Sequence, residues 1–226
     1  MKIKQILQLI TLFFCILFGS QALAADISKD EAEQWANDKG NEILNILTST
    51  DIESKYKQLD DILHNDIDID YAARYVVGKY WNKMDQSQRD RYLDLFQKYT
   101  ESLYKSYPLT IDKGEVTFTV DNVVSDVKLV NVYCTVYVKK LAQNPQNGSK
   151  GGFKVIFVIV KNDDGKIKVR DLKVSESSFL ISYRDRFYKL IHEENDDDID
   201  WFLDDLEMRI EDNNEKNAKL LQDEEF

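Results

Sequence analysis

The sequence predicts an α+β protein: a curved antiparallel β-sheet of about four strands packed with a helical layer. Three observations carry this. Apolar residues recur at helical spacing from Ala32 to Tyr107, the period falls to two between Val116 and Val174, and it lengthens again after Ser178. Gly and Pro are scarce (8 and 2) while Tyr and Phe number 12 and 11, the balance of a chain with few loops and a large apolar interior.

Residues 1–24 read as an export signal. Lys2 and Lys4 precede an uncharged apolar run, Ile6–Phe18, and Ala22-Leu23-Ala24 has the small-x-small form of a cleavage site. The run is shorter than the ~20 residues a spanning helix needs, which disfavours an uncleaved anchor. The expected mature chain, 25–226, is one domain: mainly helical over 25–108, sheet over 109–175 and helical again over 176–226. Removing the leader, with its two lysines and no carboxylate, takes the net charge from −11 to −13. No basic stripe offsets it, so nucleic acid is a poor partner. Cys134 is then the single cysteine, without a disulfide partner. It stands in an alternating strand run, where a buried, inert thiol is expected.

The helices come first. Ser28 and Glu31 have capping-box spacing before a face of Ala32, Trp35, Ala36, Ile43, Ile46 and Leu47, which Gly40 ends or kinks. Asp51–Leu63 carries Ile52, Tyr56, Leu59, Ile62 and Leu63. Tyr71–Trp81 places Ala73, Val76, Val77, Tyr80 and Trp81 on one side. After a polar break at Asp85–Ser87, a long helix runs from Gln88 to Tyr107 and stops at Pro108. Four strands follow: Val116–Val120, Val130–Val138, Phe153–Val160 and Ile167–Val174. Asn162–Gly165 is a hairpin turn and Gln143–Gly152 a flexible loop. The last strand hands over to a helix with Leu180, Tyr183, Arg184 and Phe187 at helical spacing.

An antiparallel sheet needs only one apolar face. Here both faces offer β-branched, Tyr or Ile side chains, which leaves two readings open: helices cover both faces, or the sheet curls around a cavity for an apolar ligand. Catalytic signals are weak. His64 and His192 are far apart, and no nucleophile elbow, phosphate loop or Cys/His pair is present. A hydrolase built on Asp171 and Glu176 would lack a nucleophile and a metal. Asp196, Asp198, Asp200, Asp204 and Glu207 match the spacing of a calcium loop, but Trp201 stands where such a loop needs glycine. The apolar spacing of Ile199, Phe202, Leu203, Leu206 and Ile210 instead predicts an acid-rich helix start.

Two blocks resemble the MlaC-type family, the periplasmic auxiliary components of toluene-tolerance and lipid-asymmetry ABC transport. The first is Ile67-Asp68-Ile69-x-x-Ala72-Ala73-Arg74-x-x-Val77-Gly78-x-Tyr80-Trp81, where the family has Phe-Asp-Phe, Met-Ala-Arg and Leu-Gly-x-Tyr-Trp. It continues into Tyr92, Phe96 and Tyr104. The second is Asp171–Phe187, in which Asp171, Val174, Ser178, Tyr183, Arg184 and Phe187 match outright. Glu176 replaces a family glycine, Asn82 an arginine and Arg186 a glutamine. The resemblance implies a non-enzymatic phospholipid carrier of the periplasm, with bound phospholipid as cargo and no cofactor. It would act as a monomer, exchanging lipid with an inner-membrane ABC complex through an MCE-domain subunit and with an outer-membrane lipoprotein–porin complex. The apolar sheet becomes the tail cavity, expected to be lined by Phe118, Val120, Val132, Val136, Phe157 and Ile159. Tyr80, Trp81, Phe179, Tyr183, Arg184 and Phe187 would close it. The alternative is an exported adaptor or ligand-binding domain with a filled core and no lipid.

Overall fold

A computed structural model describes residues 27–106, 111–126, 128–139 and 152–223. The expected leader, the Pro108 stop and residues 143–151 of the expected loop lie outside the described residues. The elements are α1 (Lys29–Leu47), α2 (Ile52–Asp66), α3 (Ile69–Val77) with a 3₁₀ extension (Gly78–Lys83), and α4 (Gln86–Lys105). Then come β1 (Val116–Ser125), β2 (Val130–Val138), β3 (Gly152–Lys161), β4 (Ile167–Val174), β5 (Ser177–Ser178), α5 (Phe179–Lys189), a π-helical turn (Leu190–Glu194) and α6 (Ile199–Asp223).

The caps follow from the sequence. Ser28 accepts from the Glu31 N–H, and Asp51 from that of Ser54. Asp85 and Gln88 form a reciprocal capping box. Gly40 does not break α1. It faces the sheet with Ala32 and Ala36, all three buried, and these small side chains let the helix approach β1 closely. The Phe118 ring occupies the space a Cβ on Gly40 would need. The helix expected over 71–81 ends at Val77 instead. Gly78 adopts φ +49°, and the Tyr188 hydroxyl sits where its Cβ would be.

The sheet is an antiparallel meander in the order β1-β2-β3-β4-β5. Its fifth strand is only two residues long and pairs with Lys173 and Val174. Register shifts between Val120 and Asn122 in β1, and opposite Val158 and Ile159 at β3–β4, mark bulges, which bend an antiparallel sheet.

The apolar interior is divided in two. One core joins α3, α4, α5 and α6 around Tyr92, Phe96, Phe187 and Phe202. The other lies between α1 and one face of β1–β4, around Val132, Cys134, Val155 and Ile159. The opposite face of the central strands is polar or exposed at Thr119, Tyr133, Thr135 and Lys154, and turns apolar and buried at Val158 and Val160 toward the end of β3. Among the described residues no helix is long and apolar enough to cross a membrane.

Candidate apolar site between two cores

Where the two cores meet, along β4, an apolar cavity of about 290 Å³ remains. Leu63, Ile67, Ile69, Ala72 and Val76 from α2, α3 and the link between them form one wall. Phe96, Thr100, Leu103 and Tyr104 of α4 form the second. Val169, Leu172, Phe179, Leu180 and Tyr183 of β4 and α5 form the third. The helices and the sheet meet beside it through an isolated parallel bridge between Ile67 and Val169. There the Asp68 N–H donates to the Val169 carbonyl at 2.9 Å, and Arg170 pairs with Asp68 at 3.0 Å.

Most polar groups at the wall are occupied. Asp171 accepts the Leu180 N–H at 3.2 Å, anchoring the start of α5. Tyr104 donates to Asp60. Phe179 and Tyr183, one helical turn apart and 6.3 Å between centroids, stack at an interplanar angle of 21°. Phe179 remains 45% exposed, which puts it at the mouth. Walls this apolar favour an apolar guest over water.

Of the twelve residues expected to form the lipid site, Phe179 and Tyr183 line this cavity. Phe118, Val120, Val132, Val136, Phe157 and Ile159 do share one sheet face, but α1 packs on it. Val132 and Ile159 have no exposed surface, and Phe157 meets Trp35 edge-on at 6.1 Å. α1 covers that face, and the cavity along β4 lies beyond its edge. Phe187 sits in the helical core against Phe96, Tyr99 and Phe202. Buried Tyr80 donates to Asp197 at 2.6 Å; burial, then that bond, pushes its phenol up to about 12. Trp81 lies between the Arg74 and Arg89 guanidiniums, at 5.1 and 5.3 Å. Arg184 lies over the Tyr75 and Tyr188 rings and donates to the Tyr188 hydroxyl at 3.1 Å.

The wall residues not expected, among them Ile67, Ile69, Ala72, Leu172 and Leu180, carried a signal nonetheless. They belong to the two resemblance blocks, roughly a hundred residues apart in sequence, which the fold brings to opposite sides of one cavity.

The remaining chemistry resolves into structure. Cys134 is fully buried and burial pushes its thiol up to about 12, which leaves no thiolate near neutral pH. Asp198 caps α6 by accepting the Asp200 and Trp201 N–H groups. Arg91 of α4 bridges Asp204 and Glu207, so these carboxylates join two helices. Among the described residues no group of His, Cys, Asp and Glu could hold a metal.

The sequence matches the MlaC protein family over residues 37–208. Among solved structures, one similar to this chain is the phospholipid-binding protein from Ralstonia solanacearum in complex with a phospholipid. The two share 18% identity, and the match covers 80% of this chain and 98% of that one at a TM-score of 0.62. No curated protein matches.

Proposed function

The chain belongs to the MlaC family, and we propose that it is a non-enzymatic phospholipid carrier of the periplasm, exported by its leader and holding acyl chain between its two cores. The cavity along β4 carries this reading, because two of its three walls are built largely from the two blocks that mark the family. A benzene-sized guest fills ~150 Å³, or ~25 Å³ per carbon, so a cavity of 290 Å³ accepts about a dozen carbons. At ~0.8 kcal/mol per buried CH₂ these contribute on the order of 10 kcal/mol before the costs of association. A chain held so firmly leaves slowly by itself. That suits a carrier that unloads on docking, and we place its exchange partners in an inner-membrane ABC complex with an MCE-domain subunit and an outer-membrane lipoprotein–porin complex.

Mass spectrometry of the mature protein purified without detergent, native and after organic extraction, tests this. Phospholipid is expected at near one per chain in the wild type and well below that in Leu180→Trp, which fills the cavity. A folded wild-type protein at its bare-chain mass would remove the carrier reading and leave an adaptor.

A further inference from the structure

A second cavity, of about 540 Å³, adjoins the apolar one and shares Leu103, Tyr104 and Tyr183 with it. Its character is different: Arg186, Arg209, Asp212, Asn213 and Lys216 line the rest, together with Tyr99. The three cations are not equivalent. Arg209 is committed to Glu194 at 2.6 Å and Asp205 at 3.2 Å. Asn213 is likewise engaged, donating to the Ser102 hydroxyl at 3.0 Å. Arg186 and Lys216 are both exposed, and neither pairs with a carboxylate of any described residue. Against the single carboxylate of Asp212 the crevice keeps a positive excess, in a chain whose net charge is −11.

Unpaired cations beside the mouth of an apolar cavity match an amphiphile that carries an anion at one end of its chains. Arg186 lies three residues beyond Tyr183, so one face of α5 presents an apolar-pocket wall and then a guanidinium. Lys216 approaches from α6. A guanidinium can grip two phosphate oxygens at once, and the ammonium adds a point charge. We propose that Arg186 and Lys216 bind the phosphate of the phospholipid whose chain occupies the apolar cavity. This rests on the carrier reading and adds recognition of the headgroup to that of the tails. Arg186 stands where the family motif has glutamine, so the contact belongs to this chain's own residues.

The test uses two soluble probes with the same chain, oleoyl lysophosphatidate and mono-oleoylglycerol. Each is titrated below its micelle concentration into lipid-free mature protein, wild type and Arg186→Gln/Lys216→Gln, and inorganic phosphate is titrated alone. The wild type is expected to prefer the phosphate-bearing probe by at least about tenfold. That preference should weaken with added salt, and the double variant should bring the two affinities together. An unchanged preference in the variant overturns the headgroup site and leaves the carrier standing. A wild type that binds neither probe overturns both. Inorganic phosphate bound as tightly as the lysophosphatidate would assign the cations to a free anion and overturn the proposal.

Discussion

Gly40 lies inside a 19-residue helix, where glycine ordinarily costs about 1 kcal/mol relative to alanine. Here the missing side chain is filled by the Phe118 ring from β1. Gly40→Ala should therefore forgo the usual gain and, by overpacking the sheet core, lose about 1–2 kcal/mol, lowering Tm by roughly 2–8 °C. Thermal melts of Gly40→Ala, Phe118→Leu and the double variant check this. The double variant should be more stable than the sum of the singles predicts. Additivity would mean that the ring is not the obstacle. The apolar spacing of α1 shows Gly40 only as an interruption, because the residue that fills the gap is 78 positions away on a strand. Cys134 is the opposite case, since its burial follows from a local alternation that a strand always imposes.

The turn between β4 and α5 governs the cavity, because it aims Phe179, Leu180 and Tyr183. Ser175 and Glu176 both adopt left-handed backbone, at φ 48° and 72°. This reverses the chain so that Ser177 and Ser178 pair with β4. The Ser178 hydroxyl then caps α5 by accepting the Ile181 N–H at 3.1 Å. A non-glycine residue in that region costs on the order of 1–2 kcal/mol, and the family motif has glycine at Glu176. Glu176→Gly is expected to raise stability by about 0.5–1 kcal/mol, the strain relief less the extra freedom of the unfolded chain. It should leave the lipid content as it was. Denaturant midpoints and extraction mass spectrometry read the two effects, and a lower midpoint would show that the Glu176 side chain supports the turn. The long elements were legible because their periods repeat over many residues. A two-residue strand has no period to read, and the end of α3 depends on Tyr188 reaching Gly78 from a distant helix.

At the scale of the molecule, the apolar content of the sheet was legible but the side on which space remains was not. That depends on α1, whose Ala32, Ala36 and Gly40 bring it down onto the face that would otherwise bound a cavity. The space left lies between two cores joined at Ile67 and Val169. Two chains of about sixteen carbons need ~800 Å³ at ~25 Å³ per carbon, well beyond 290 Å³, so both chains fit within the apolar cavity only if the cores part along β4. Paired residues of neighbouring strands lie ~4.7–4.9 Å apart, within disulfide reach, so Ile67→Cys/Val169→Cys locks that seam. The buried Cys134 thiol does not compete. Oxidised, this variant should bind a single-chain lauroyl probe as tightly as it does when reduced and fail to load two-chain phospholipid from vesicles, and dithiothreitol should restore loading. Full loading of the oxidised protein, at one phospholipid per chain, would mean that the lipid enters without the cores parting.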